Sequence, residues 1–70
     1  MTNGYALRQV RQSKGLSQAQ VAEALNTTQQ QYSKYENGVQ DISARQIVNL
    51  ATFYNISADT LLGLRAEETQ

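Results

Sequence analysis

The side chains that could recognise another molecule are concentrated within residues 28–34. Amide, hydroxyl and ammonium groups recur there at the spacing of one helix face: Gln29, Gln30, Ser33 and Lys34. No carboxylate shares this face, so a phosphate group would not be repelled from it. Glutamine can pair bidentately with adenine N6 and N7 in the major groove, so the face predicts contacts with base edges. Glutamine is also a good helix former, so the three consecutive glutamines 29–31, taken alone, favour a solvent-exposed helix surface without a binding role.

The position of this face along the chain favours a binding surface over a merely solvent-exposed one. Predicted helices at 17–25 and 28–37 are joined through Asn26, Thr27 and the capping Thr28. A connection this short forces two helices to cross steeply, as in a helix-turn-helix. The amide-rich face therefore lies on the first exposed turn after a tight two-helix connection.

Catalytic and metal-binding chemistry has few candidates in this sequence. Histidine and cysteine are absent, which removes imidazole and thiolate metal ligands and any Ser-His or Cys-His nucleophile pair. The four glycines are isolated and form no phosphate-binding loop. We expect no enzyme: no catalytic residue, no metal site and no cofactor.

The ends of the helices are marked by recurring residue types. A hydroxyl residue followed three positions later by glutamine is a capping-box pattern, in which each side chain bonds the other's backbone N–H. It occurs as Ser17 with Gln20, Thr28 with Gln31 and Ser43 with Gln46, and Ser57 predicts a fourth helix start. Residues that tolerate a left-handed backbone predict the helix ends. They are Gly15, Asn26, Gly38, Asn55 and Gly63.

These boundaries predict an all-α fold, a compact bundle of five short helices with a helix-turn-helix. The helices are expected at 4–14, 17–25, 28–37, 43–54 and 57–63. One domain covers residues 1–64, and residues 65–70 form a polar tail. Apolar residues at three- and four-residue steps predict the core. They are Leu7, Val10, Val21, Ala22, Leu25, Tyr32, Tyr35, Ile47, Leu50, Ala51, Tyr54, Leu61 and Leu62.

A few residues depart from these apolar stripes. Arg11 and Glu36 stand on inward faces of different helices, which predicts one partly buried ion pair. The alternative is that both side chains extend along the surface into water. Val48 and Phe53 fall off the main stripe, so they either cover a side pocket or face a partner.

The overall charge balance counts against a nucleic-acid partner, but the charges are unevenly placed along the chain. Six basic and six acidic residues give a net charge of zero. Two of the acids, Glu67 and Glu68, lie in the polar tail, so affinity for DNA must come from the placement of charge. No stretch approaches the roughly 20 apolar residues of a membrane span, and no signal peptide is visible. We expect a cytoplasmic protein without a membrane partner.

Four motifs run in order from Leu7 to Leu64. They are Leu7-Arg8-x-x-Arg11-x-x-Lys14-Gly15-Leu16-Ser17-Gln18, Val21-Ala22-x-x-Leu25, Ser33-Lys34-Tyr35-Glu36-Asn37-Gly38, and Leu50-Ala51-x-x-Tyr54-x-Ile56-Ser57-x-Asp59-x-Leu61-Leu62-Gly63. In this order they resemble the Cro/CI-type (Xre family) helix-turn-helix domain. The start of helix 28–37 is similar to that of a lambdoid phage repressor. The resemblance implies a bacterial or phage transcriptional regulator of repressor type that binds double-stranded DNA sequence-specifically, with helix 28–37 in the major groove.

The resemblance also implies roles for single residues. Gln18 would hold a phosphate and brace Gln29, which is the best candidate for an adenine contact. Asn37 and the loop after it would meet the DNA backbone, and Arg11 and Glu36 match the family's internal ion pair. The implied DNA-binding set is Ser17, Gln18, Thr28, Gln29, Gln30, Ser33, Lys34 and Asn37.

The assembly and the partner are also expectations from the resemblance. Family members usually bind as two-fold dimers on palindromic half-sites about 34 Å apart. A homodimer here would use Phe53, Ala58 and Leu61. The loop 39–42 lacks the family's basic residues, so the salt dependence of binding is expected to be modest. The alternative is an antitoxin-like or other protein-interaction module with DNA binding secondary. A further possibility is that the chain is the excised N-terminal half of a longer repressor.

Overall fold

A computed structural model describes residues 4–63, which form five α-helices. They are α1 (Gly4–Ser13), α2 (Gln18–Ala24), α3 (Gln29–Glu36), α4 (Ala44–Tyr54) and α5 (Ala58–Leu62). The predicted all-α bundle is confirmed, and each observed boundary lies within one residue of the predicted one. The predicted tail at 65–70 lies outside the described residues. None of the helices within 4–63 has the length and apolar character to cross a membrane.

Hydroxyl side chains begin four of the helices as predicted. Ser17, Thr28 and Ser43 accept from the backbone N–H three residues later, and Ser57 accepts from that of Asp59. The reciprocal glutamine bond forms at Ser17, whose N–H donates to Gln20 Oε1 at 2.8 Å.

For the other two predicted capping boxes, the expectation about glutamine was wrong. Gln31 Nε2 donates to Gln40 Oε1 at 2.9 Å, and Gln46 Nε2 donates to the Leu25 carbonyl at 3.1 Å. Each amide therefore bonds a group distant in sequence, which ties α3 to the following loop and α4 to the end of α2.

Left-handed residues end the helices at the predicted positions. Asn26, in the connection between α2 and α3, has a φ of 59°, and Asn55 after α4 has the same value. Asparagine adopts this conformation more readily than most residues with a Cβ atom. The short connection is therefore built without glycine, and α3 is directed across α2, against which it packs.

The core forms from the predicted apolar stripes. All of the predicted core residues are buried except Leu62, which is half-buried and packs against the others. Ile42, in the loop before α4, is also buried, although no helical periodicity pointed to it. Val48 and Phe53 are exposed, and the Phe53 ring lies 5.3 Å from that of the buried Tyr54.

Gly4 lies where α1 meets the end of α3. A Cβ atom at this position would overlap the Glu36 carbonyl oxygen and would lie 2.8 Å from that of Tyr35. We expect Gly4→Ala to lower the free energy of unfolding by about 1–3 kcal/mol, because α1 would have to move away from α3. Urea denaturation measures this change. Helix propensity alone favours alanine, so a variant as stable as the parent would contradict the close approach.

Candidate nucleic-acid interface

The outer face of α3 presents three unbonded polar side chains. Gln29, Gln30 and Lys34 are exposed, and their side chains make no hydrogen bond to any other residue within 4–63. Gln30 and Lys34 are four residues apart and so form one row along the helix. The two amides and the ammonium group are therefore free to bond an external molecule.

The C-terminal end of a second row on α3 is held by hydrogen bonds within the protein. Gln29, Ser33 and Asn37 follow each other at four-residue spacing, and the row ends at the C-cap of the helix. Asn37 Nδ2 donates to Ser33 Oγ at 3.2 Å, and Asn37 Oδ1 accepts from Arg8 Nη2 at 3.1 Å. The end of this row is thereby fastened to α1.

The two predicted hydroxyl contacts border the same region. Ser17 Oγ and Thr28 Oγ1 each accept from a backbone N–H at 3.1 Å, as helix caps. Both residues are exposed. A hydroxyl that accepts one bond still carries its own O–H donor, so each can also donate to a phosphate oxygen.

A carboxylate with no exposed side-chain surface lies beneath these residues. Arg11 Nε is 2.7 Å from Glu36 Oε2, and Arg11 Nη2 is 3.1 Å from Glu36 Oε1. The two residues of the predicted ion pair are thus brought together. Gln18 Nε2 donates to the same Oε1 at 3.0 Å, and Arg8 Nε lies 3.5 Å from it. One carboxylate therefore joins α1, α2 and α3.

The charge of Glu36 is stabilised by its partners. Burial by itself would raise the pKa of this carboxyl, but hydrogen bonds, first of all from Arg11 and then from others including Gln18, outweigh burial and hold the pKa below its usual range. The Tyr32 hydroxyl interacts with the same carboxylate electrostatically but lies outside hydrogen-bond geometry with it. Burial, followed by that carboxylate, raises the pKa of Tyr32.

Two sequence-based expectations need correction. Gln18 braces the buried Glu36 and not Gln29, because a buried carboxylate is a stronger acceptor than a neutral amide on the surface. Leu61 is fully buried in the core, so it offers no surface to a second copy. Ala58 is half-buried against the core. Of the three expected dimer contacts, Phe53 presents the largest surface, with 49% of the residue exposed.

Sequence reasoning missed one residue of this region, Arg8. In the sequence, Arg8 is a basic residue of the first motif. Arg8 and Arg11 are three residues apart and so lie next to each other on the surface of α1. This spacing was the one signal in the sequence that could have placed Arg8 beside the ion pair. The acceptor at Asn37, 29 positions along the chain, could not be read from that spacing.

Comparison with known proteins agrees with this architecture. A family model described as Helix-turn-helix matches residues 7–61. The HTH-type transcriptional regulator ImmR of Bacillus subtilis (strain 168) is 36% identical over 63 residues, which are 90% of this chain and 50% of ImmR. The SPbeta prophage-derived uncharacterized HTH-type transcriptional regulator YonR of the same organism is 37% identical over 59 residues, 84% of this chain and 55% of YonR. The chain thus spans about half the length of these curated relatives.

Solved structures give the same result. A transcriptional regulator from Listeria innocua superposes with a TM-score of 0.80 at 27% identity, covering 96% of this chain and 62% of that one. The restriction-modification controller protein C.AhdI from Aeromonas hydrophila gives 0.77 at 33% identity, covering 83% and 84%. With its short two-helix connection and its outward-facing α3, the chain belongs to the Xre-type helix-turn-helix family of transcriptional regulators.

Proposed function

We propose that this chain binds double-stranded DNA sequence-specifically as a transcriptional regulator of repressor type, with α3 in the major groove and no enzymatic activity. The observation that carries the proposal is the face of α3, where two amides and one ammonium group are exposed and unbonded. An α-helix fits the major groove, where the edges of all four base pairs differ.

Five residues of the interface have the following proposed roles. Gln29 and Gln30 read adenine edges, because an amide offers both the donor and the acceptor that N6 and N7 require. Lys34 donates to a base or to a phosphate. Ser17 and Thr28 donate their hydroxyl protons to the backbone on either side of the groove.

A homodimer on a palindromic operator is the proposed assembly, in the cytoplasm. Two copies of α3 would then read half-sites about 34 Å apart on one side of the duplex. Since Leu61 is buried, the contact between copies would rest on exposed groups such as Phe53.

A second candidate is a protein-interaction module with DNA binding secondary. The exposed apolar side chains of Val48 and Phe53 on α4, with the net charge of zero, favour it. Selection of bound duplexes from a random pool at low salt tests the two candidates. Enrichment of a common sequence supports DNA reading, whereas its absence favours the protein partner.

Gln29→Ala tests direct base reading. We expect it to weaken binding of the selected duplex by about 1–3 kcal/mol, because one bidentate base contact is lost, and to leave the fold intact. The difference in affinity between Gln29→Ala and the parent should disappear on duplexes in which the base pair that Gln29 contacts has been changed. Fluorescence polarisation with single-base variants measures this effect.

The matched control is Gln9→Ala, which removes an exposed glutamine of α1 that bonds Tyr5. We expect its affinity and its base preference to equal those of the parent. Equal loss by Gln29→Ala on every duplex would show that Gln29 does not read a base.

A further inference from the structure

We propose that Arg8 is the cationic member of a phosphate clamp, formed with Gln18 and Asn37, that holds the DNA backbone beside α3. This inference rests on the proposed function and names a binding residue that the helix-turn-helix motif did not supply. Its ligand is a phosphodiester group of the duplex. Three features of Arg8 support the clamp: its uncompensated charge, its free N–H donors and its position next to α3.

The charges of the Glu36 cluster do not cancel. One carboxylate is surrounded by two guanidinium groups, and Arg11 holds it through two hydrogen bonds at 2.7 and 3.1 Å. Arg8 approaches it only to 3.5 Å, and its side chain is 41% exposed. Arg11 therefore balances the buried charge, and a positive charge remains on Arg8 at the surface.

Arg8 also has unused donors. A guanidinium group carries five N–H donors in a rigid plane. The N–H of Nε donates to Glu36, and one of the two N–H groups of Nη2 donates to Asn37. Three donors therefore remain, namely both N–H groups of Nη1 and the second N–H of Nη2. A planar pair of N–H groups matches two phosphate oxygens, which is why arginine binds phosphate in a defined orientation.

The position of Arg8 is set by the second row of α3. Asn37 bonds both Ser33 on the recognition helix and Arg8 on α1, so the guanidinium group lies at the edge of the face that Gln29 begins. A helix about 10–12 Å across fills a major groove about 12 Å wide, so side chains that flank it face the phosphates. Asn37 acts here as a positioning residue, since it holds Arg8 in place.

Gln18 completes the clamp as a neutral member. Its Nε2 donates to the same Glu36 oxygen that Arg8 approaches, so the two side chains are neighbours. The second N–H of the Gln18 amide is available to a phosphate oxygen beside the guanidinium group.

Binding measurements on Arg8→Gln test the clamp. We expect the affinity to fall about ten- to hundredfold, because a hydrogen bond to a charged group is lost. The factor should be the same on the selected duplex and on a random one, and the slope of log K against log salt should shrink by about 1. The control Lys14→Gln removes the same charge from an exposed side chain outside the cluster and should change both quantities less.

A duplex in which single phosphates are replaced by neutral methylphosphonates locates the contact. For the parent, replacement of one particular phosphate in each half-site should weaken binding. The same replacement should not lower the affinity of Arg8→Gln any further. Arg8→Lys, which keeps the charge, should restore the salt slope but only part of the affinity. Thermal unfolding of each variant verifies that it is folded. If Arg8→Gln proves to be unfolded, the comparison of Arg8→Lys with the parent provides the test.

The outcomes separate the clamp from the proposed function. If Arg8→Gln keeps the salt slope of the parent, or loses affinity equally at every neutralised phosphate, the clamp is wrong even when Gln29→Ala shows base reading. If the parent enriches no sequence, the proposed function is wrong. Binding of random duplex with the expected Arg8 effect would then support the clamp alone.

Discussion

Glu36→Ala is expected to lower the free energy of unfolding by about 3–5 kcal/mol, because the side chain is buried and joins three helices. Its removal leaves the guanidinium group of Arg11 half-buried without a counter-charge and Gln18 without its acceptor. Small domains have total stabilities near the lower end of about 5–15 kcal/mol, so the variant should keep only about 0–2 kcal/mol and should populate its unfolded state measurably at 37 °C. Urea denaturation followed by circular dichroism measures the loss.

Glu23→Ala is the matched control, since it removes an exposed carboxylate from α2. Its stability should stay within about 0.5 kcal/mol of the parent. A double variant, Arg11→Met with Glu36→Leu, should lose less stability than Glu36→Ala, because no buried charge is left alone. A Glu36→Ala protein as stable as the parent would mean that the cluster contributes nothing to folding.

The same carboxylate predicts how stability changes with pH. Despite burial, its hydrogen bonds hold the pKa of Glu36 in the folded protein below its value in the unfolded chain, which is about 4.3. The stability that this shift contributes is present above that unfolded value and is lost as the pH falls through the folded pKa. In acid titrations of stability, the parent should therefore show a steeper loss below about pH 4 than Glu36→Gln does.

Tyr32→Ala is expected to cost about 3–5 kcal/mol of unfolding free energy, since it empties the space of a large ring. Tyr32 is fully buried on the inner face of α3, and its ring meets that of Tyr35 edge-on, with centroids 6.2 Å apart. The ring also sets the distance of α3 from the core. We expect DNA affinity to fall with stability in this variant, as followed by polarisation and urea denaturation.

Tyr32→Phe separates the ring from its hydroxyl. The hydroxyl is buried without a hydrogen-bond partner among the described residues, so its removal should change stability by less than about 1 kcal/mol. Comparable damage in the phenylalanine and alanine variants would show that the hydroxyl, through Glu36, carries the effect.

The helix boundaries were predictable because they depend on neighbours in sequence. A hydroxyl that accepts from an N–H two or three residues later, and an asparagine that turns left-handed at Asn26 or Asn55, need no information from the rest of the fold. The burial of the apolar stripes follows from helical periodicity in the same way. The candidate face on α3 was predictable because its residues lie within six positions.

The remaining features depend on groups distant in sequence. Gln31 and Gln46 fit the capping pattern, but acceptors at Gln40 and Leu25 compete for their amides. Arg8 is a member of the proposed clamp because Asn37 lies beside it in the fold and accepts a hydrogen bond from it. Leu61 was expected both in the core, from its apolar pattern, and at a dimer contact, from the resemblance; the packing of α5 on α1 buries it completely and excludes the second expectation.

The length of α3 limits how much of a DNA sequence one copy can distinguish. Eight residues span about 12 Å, and base pairs repeat about every 3.4 Å, so the helix passes about four of them. Four positions distinguish about 256 sequences, whereas a genome offers about 10⁶–10⁹ competing sites. The second copy in the proposed homodimer would raise the number to about 65,000, which is nearer to that range but still below it, so contacts outside α3 would have to supply the remaining discrimination.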